Sequence, residues 1–583
     1  MGELYQLNQD KKMNQASHKR RPDRALLFSL LTLFVTAGIL LLPQIIQQAM
    51  IISSDSVFHF NRFYDTAMQM KEGNFQYFIS MYGFQESGRI VNALYGPFMA
   101  YLQGLLVLIS PSWFFYQLLS NFFLYSLAGI SMLTLLRKAR ISHGYSLMTA
   151  LFYMTTYSVQ YWTMRQGFSS WGAALLPLCL VPIIDFVEGK QVKPFKLGLL
   201  MALMFQTHIL SSVFLAMIYL PFFAYAFVTT ENKRQLIRQL GLSIGIFCLL
   251  SVNIAYSFIQ VYGKNSLIEP FVNKHMASST IFKNSSYWLA TPSLLVPLLL
   301  IFLALLIVHW KKTTVIQKIS LFTASFFFAL SAAAPLWQLL QNKDYQIVEL
   351  IQFPFRFFIP FTVLFLFGLG LMLQKKVPLT IPVKIIGTFI IVLSVSQFLN
   401  TTNQALNKWQ SEKSYIQTGK HTTLFSNDAK EIKDSFFDKD LTKALYYVQK
   451  STPDYLPWTN DSTENKYKAY TKQVVKNQNN FVKRIENEQL VIEWSATEEK
   501  EVTVPVIKYS DTNLEFNHTD ITKAKLKLTT IGNPILTQKK GHNQLILSYP
   551  HQLSSKIIVA LTFLCWLVAL GMLYYRRKKF AQK

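Results

Sequence analysis

Residues 27–50 read LFSLLTLFVTAGILLLPQIIQQAM, and the stretch that follows, 51–62, reads IISSDSVFHFNR. The first stretch carries no charge and is long enough to cross a bilayer as a helix, so the chain reads as a membrane protein from its opening. The second puts an acid, an imidazole and a guanidinium at the membrane lip. Positions i, i+4 and i+7 share one helical face, so Asp55, His59 and Arg62 are expected to point the same way, with Ser54 as the N-cap. Polar clusters at a membrane boundary cost free energy, which marks this one as a functional candidate.

The rest of the chain repeats the apolar theme. Of its 583 residues, 51% are hydrophobic and 15% aromatic, more than one soluble core requires. The formal net charge of +26 falls in short basic clusters between apolar runs, as the positive-inside rule predicts. Anionic membrane lipid is therefore the expected partner of that charge. Nucleic acid is not, because the aromatic residues lie within apolar runs instead of interleaving with a basic soluble face. Cys179, Cys248 and Cys565 all fall in predicted membrane helices, so no disulfide framework is expected. The apolar run after the basic residues Lys19, Arg20, Arg21 and Arg24 is too long for a signal-peptide core and lacks a small-x-small cleavage site, which predicts a retained first helix.

Charge also sets the expected topology. Arg137-Lys138 with Arg140, Lys190 to Lys196, Lys233-Arg234 with Arg238, Lys311-Lys312, Lys375-Lys376 and Arg576 to Lys579 are assigned to the cytoplasm. Further membrane helices then fall near 113–136, 145–162, 170–187, 196–209, 212–229, 239–261, 291–310, 317–336, 356–374, 380–399 and 556–575, about twelve in all with the first. Both termini come out cytoplasmic in a plasma-membrane protein. Residues 93–110 are apolar enough to cross, but a crossing there would put the Arg137 cluster outside, so they are expected to form an interfacial or re-entrant helix.

This divides the chain into a cytoplasmic basic N-terminus (1–26), a transmembrane domain (27–399) with a long outer loop at 51–112, an extracellular soluble domain (400–553), and a last helix with a basic tail (554–583). The composition turns abruptly to Lys, Asn, Thr, Asp and Glu across 400–553. Lys430 to Lys450 reads helical, whereas Gln489 to Trp494, Val502 to Ile507, Lys523 to Leu528 and Leu545 to Tyr549 carry strand patterns. Turns at Gly532-Asn533-Pro534 and Gly541-His542-Asn543 suggest a small antiparallel sandwich.

Five positions complete the candidate site. An outer carboxylate such as Asp55 can act as a general base or a hard metal ligand, and its plainer reading is a helix N-terminal acid complementing the dipole. Arg165, in a short outer turn, and Arg356, after Gln352 at the start of an aromatic helix, oppose the charge bias and so point to an anionic partner; snorkelling or headgroup anchoring is the plainer alternative. Glu86 and Glu349 are candidate second acids, and His208 reads as a polar residue of a helical hairpin. No phosphate-cradling loop, dinucleotide fingerprint, paired Cys motif or nucleophile elbow is present, which argues against cytosolic nucleotide chemistry.

A first helix, a long outer loop opening with an acid, many further helices and an outer β-rich domain together resemble the GT-C class of integral-membrane glycosyltransferases. More narrowly, Ser54-Asp55 through Arg62, Tyr95-Gly96-Pro97, Met164 to Phe168, Gln352 to Phe357 and the segment from Val504 to Tyr549 resemble the bacterial YfhO-like membrane proteins. The resemblance implies transfer of a sugar from a polyprenyl-phosphate carrier to a cell-envelope acceptor, such as teichoic acid, at the outer face. It implies that Asp55 binds or deprotonates the acceptor, with a divalent cation such as Mg or Mn as an optional helper. His59, Arg62, Arg165, Gln352 and Arg356 would then serve the lipid-phosphate donor. Two departures stand out: Ser169 and Ser170 occupy the turn where many GT-C members carry a second acidic motif, and the outer domain is shorter than in many YfhO-like chains. The rival readings are a flippase or transporter for an anionic lipid-linked glycan, which should show paired broken helices, and a non-catalytic envelope scaffold.

Overall fold

A computed structural model describes residues 24–582 apart from 344, 346–347, 349–350, 412–415, 417–418, 460–462 and 550–552. The N-terminal basic residues Lys19 to Arg21 and the candidate acid Glu349 lie outside the described residues. The chain is mostly helical, with a small β region near its C-terminus. Among the described residues nine helices are long and apolar enough to cross a membrane, and a tenth is obtained if Lys233–Leu249 and Val252–Tyr262, bent by 61°, form one broken span.

Most predicted apolar runs appear as helices at the expected places, but several are interrupted. The run at 145–162 is split into His143–Met154 and Tyr157–Arg165, and that at 196–209 is the helix Pro194–Thr207. Neither is long enough to count among the nine. Pro97–Leu108 is a 12-residue apolar helix, too short to cross, as its reading as an interfacial element requires. Prolines at the first helical position open Pro97–Leu108, Pro182–Glu188 and Pro194–Thr207, where the missing N–H has no helical partner to lose.

The basic loops gather at one end of the bundle. Arg140 pairs with Glu188 at 3.3 Å, the Ser142 N–H donates to Gln374 at 2.9 Å, Lys190 Nζ reaches the Thr229 carbonyl at 3.1 Å, and Lys375 Nζ the Lys312 carbonyl at 2.9 Å. The helix Ser56–Glu72 packs on Pro97–Leu108, with the Thr66 hydroxyl donating to the Ala100 carbonyl at 2.8 Å, and touches the strand Val448–Lys450.

That β region contains a five-stranded antiparallel sheet in the order Val482–Glu486, Gln489–Ala496, Gly541–Ser548, Asn513–Phe516, Thr519–Asp520, and a three-stranded one in the order Lys527–Leu528, Pro534–Gln538, Lys500–Thr503. The expected strand at 502–507 ends at Thr503, and the expected helix at 430–450 is two short helices, Ala429–Ser435 and Leu441–Tyr447, followed by the strand Val448–Lys450. Inner faces carrying Leu490, Ile492, Leu514, Leu545 and Leu547 are fully buried, as period-2 alternation requires.

The first loop is built into this core. Phe78, Ile79 and Ile90 share a hydrophobic cluster with the strands, the Phe78 ring stacks on Tyr549, the Ile507 N–H donates to the Ser87 carbonyl at 2.8 Å, and the Ile90 N–H to the Tyr509 hydroxyl at 3.0 Å. Buried Arg89 donates to the Thr452 and Asp454 carbonyls at 2.7 and 2.5 Å. The loop and the β region therefore fix one another, and through them the opening of Ser56–Glu72.

Candidate functional site

The helix Ser56–Glu72 begins one residue later than the sequence suggests. Asp55, not Ser54, occupies the N-cap position, and its carboxylate makes no capping bond. The Asp55 carboxylate is thus free of the bland role of an N-cap, while the Ser54 hydroxyl hydrogen-bonds it. The turn that presents it is held from outside: Ser53 donates its hydroxyl to Gln166 Oε1 at 2.8 Å, and the Ser56 hydroxyl donates to the same oxygen.

His59 and Arg62 are both buried on the helix face that packs inward. Arg62 donates to His59 Nδ1 at 3.2 Å, to Asn92 Oδ1 at 3.1 Å and to the Tyr95 carbonyl, and its guanidinium lies 4.4 Å from the Tyr95 ring centroid. Burial first, then the charge of Arg62, holds the His59 imidazole well below its ordinary range; a hydrogen bond to the Gln166 carbonyl works the other way. His59 is a neutral ring stacked on Phe63 and Phe168. Together these two side chains brace Ser56–Glu72 against residues 92–95 and the 166–168 turn.

Asp55 faces charged groups from distant parts of the chain. Asp55 is an exposed residue, and desolvation by the surrounding protein is nonetheless the largest influence on its carboxyl, pushing it up to about 6; Lys450 lowers it, Asp454 raises it and Arg356 lowers it. Asp454 is itself raised by burial, against the pull of Arg89 and Lys466. Lys450 is lowered by burial, against the pull of Asp55. Neither Lys450 nor Asp454 was legible as a site residue, because each is an ordinary polar residue of a polar region until the fold brings it to Asp55.

Beside this cluster lies a cavity of about 370 Å3 lined by Tyr95, His208, Tyr262, Gln352, Arg356 and Tyr455, among others. Gly96, at φ 65°, turns the chain along its wall; a Cβ there would stand 3.1 Å from the Thr207 carbonyl oxygen, so the positive φ and the close backbone approach both favour glycine at this position. Arg356 donates to the Ile351 carbonyl at 3.1 Å and lies 5.1 Å from the Phe353 ring centroid, while its buried Nε finds no acceptor among the described residues. An arginine with an unused donor beside an open cavity is suited to an anion. Gln352, at φ 61°, donates to the Phe271 carbonyl at 2.7 Å and so ties the loop at 271–273 to the cavity rim. His208 accepts the Ser211 N–H at 3.3 Å and caps the helix Ile209–Thr229, in keeping with a helix-hairpin role.

The other candidates lie elsewhere. Arg165 is exposed and lines a separate cavity, so it stands apart, while the charge of Arg356 reaches Asp55. Glu86 feels the charge of half-buried Lys483, whose Nζ donates to the Gln85, Glu86 and Pro505 carbonyls at 2.7, 3.2 and 3.0 Å. Asp65, unremarked in the sequence, is fully buried and accepts the Tyr82 and Gly83 N–H groups at 2.9 and 3.3 Å and the Gln69 amide at 2.8 Å. Among the described residues no three His, Cys, Asp or Glu side chains converge as a metal site.

Asp55 as a carboxylate can therefore accept a proton, and Arg356 across the neighbouring cavity can neutralise an anion, with Tyr95 electrostatically coupled to both. Compared with known proteins, the chain matches no family model and no curated protein sequence.

Proposed function

We propose that the chain is a multi-pass glycosyltransferase that moves a sugar from a polyprenyl-phosphate carrier to a hydroxyl of a cell-envelope polymer at the outer face of the plasma membrane. In this reading the polypeptide crosses about twelve times, with broken crossings at 143–165 and 233–262 and a short one at Pro194–Thr207. The basic end is cytoplasmic and the β region is outside. Support for the orientation comes from the positive-inside rule, since the basic loops share one end.

The observation that carries the reaction is that the charge of Arg356, which lines a cavity walled by tyrosines, reaches Asp55, with Tyr95 of the cavity wall coupled to both. Asp55 takes the proton of the acceptor hydroxyl as its oxygen bonds to the sugar carbon. The bond from that carbon to the phosphate oxygen breaks, and the phosphate leaves with the electron pair. Arg356 holds that phosphate, and because its guanidinium is already positioned it costs no reorganisation as charge develops. A carboxyl at about 6 suits a base working near neutrality, ionised yet more proton-avid than an exposed aspartate. Lys450 takes the place that sequence reasoning gave to Arg165 as the second cation near Asp55. Tyr95 and Tyr455 offer rings of the kind that pack against sugar faces.

The test compares envelope polymers from cells with the chain, without it, and with the variant Asp55→Asn at equal membrane levels. One glycosyl decoration should be missing without the chain and should not return with Asp55→Asn. A full set of sugars in the deleted strain removes the reading, and restoration by Asp55→Asn removes Asp55 as the base.

A further inference from the structure

The cavity that holds Arg165 shares no lining residue with the one beside Asp55. It measures about 220 Å3 and takes its wall from residues 50–53, from Tyr157 and Arg165, and from Lys408 and Trp409 near the end of the helix Ile381–Gln410. The turn at 165–168 divides the two cavities: Arg165 faces one, Phe168 the other, and Gln166 between them clasps Ser53 and Ser56. The walls are mainly apolar and aromatic, with two exposed cations, Arg165 and Lys408. Arg165 hydrogen-bonds the Tyr157 hydroxyl, and among the described residues neither cation has a carboxylate at ion-pair distance.

The cavity also sits at the head of a seam between two candidate spans. Gln47 Nε2 donates to Asn403 Oδ1 at 2.9 Å and Gln410 Nε2 to the Gln47 carbonyl at 3.4 Å, joining the first helix to Ile381–Gln410. Deeper along these helices Leu42, Ile46, Phe389 and Val392 are exposed apolar side chains, the surface a membrane helix offers to acyl chains. Two cations above an apolar seam match one ligand chemistry, a phosphate on a pair of hydrocarbon tails.

We propose that this cavity is a binding site for an anionic membrane phospholipid, its phosphate held by Arg165 and Lys408 and its chains laid along the seam. The site is separate from the Asp55 chamber and does not depend on what that chamber does. A bound lipid here would brace the turn at 165–168, and through Gln166 the turn that presents Asp55.

The test uses the full-length chain in neutral detergent, with native mass spectrometry after exposure to equal amounts of phosphatidylglycerol and phosphatidylcholine of the same chain length. The wild type should retain phosphatidylglycerol in preference, and the double variant Arg165→Gln, Lys408→Gln should retain about tenfold less, the loss of roughly 1.4 kcal/mol. Inorganic phosphate should not displace the lipid. Ala405→Phe, which narrows the cavity but keeps both cations, should also lower retention, and it serves if the double variant does not fold. Equal retention of both lipids, undiminished phosphatidylglycerol in either variant, or displacement by inorganic phosphate would overturn the proposal. Asp55→Asn should bind the lipid normally, so this site and the glycosyltransferase reading fail independently.

Discussion

Lys450, the last residue of the short strand Val448–Lys450, lowers the proton affinity of Asp55, the N-cap of a helix almost four hundred residues earlier in the sequence. Asp454 opposes it. If Asp55 is the base, activity should fall as pH drops through about 6, where its carboxyl takes up a proton. Removing Lys450 as Lys450→Met should move that acid limb to higher pH, and Asp454→Asn should move it lower. The measurement is the pH profile of sugar transfer in isolated membranes. Limbs that stay in place in both variants would show that neither group tunes the base.

Arg356 should act on the leaving group. With its guanidinium gone in Arg356→Gln, the departing phosphate loses a preorganised partner, and turnover should fall by roughly 10²–10³ fold. Gln keeps a polar side chain able to reach Ile351, the carbonyl that Arg356 now bonds at 3.1 Å, so the helix start should survive. Single-turnover rates with saturating lipid-linked sugar separate this loss from weaker binding; a change confined to KM would make Arg356 a docking group alone.

The long apolar helices were legible because long uncharged runs have few other uses. Asp55 stands out as a candidate for a related reason: a carboxylate beside a long apolar run is conspicuous. The orientation of Asp55, His59 and Arg62 was less so. Helical spacing puts them on one face, but the helix starts at Ser56, which leaves His59 and Arg62 buried in its packing face and Asp55 outside the regular helix. Lys450 and Asp454 carry no local signal, since a lysine and an aspartate in a polar region mean nothing until the loop residue Arg89 pins the Thr452 and Asp454 carbonyls. Glu86 looked like a spare acid only because its partner Lys483 lies far along the chain.

That Glu86–Lys483 pair predicts a stability effect unconnected to chemistry at Asp55. Burial pushes the Lys483 ammonium below its ordinary range, and Glu86 resists that. Lys483→Met should leave the Gln85, Glu86 and Pro505 carbonyls without their donor and remove the cation whose charge reaches the Glu86 carboxyl, and should destabilise the contact between the first loop and the strands by roughly 1–3 kcal/mol. Adding Glu86→Gln removes the stranded charge and should recover part of the loss. Thermal melting of the detergent-solubilised chain ranks the three; a double variant no better than Lys483→Met would mean that the two groups are not coupled.

Asp65 gives the clearest pH test of the buried polar network. Its carboxyl is fully buried among the N–H groups of Tyr82 and Gly83 and the Gln69 amide, and a Cβ on Gly83 would come within 2.4 Å of the Asn61 carbonyl oxygen, so only glycine fits where the loop passes this close to the helix. Burial outweighs the hydrogen bonds and pushes the carboxyl up from 3.8 to about 6. The folded chain therefore holds the Asp65 proton more tightly than the unfolded chain does. The resulting stabilisation is complete below about 4 and is lost as pH rises through about 6; a shift of this size is worth roughly 3 kcal/mol. Asp65→Asn cannot titrate, so the stability of the wild type relative to this variant should grow by up to that amount between pH 7 and pH 4. Denaturation of both proteins at matched pH measures the difference directly, and a gap that does not change with pH would mean that Asp65 is equally solvated in the folded and unfolded chains.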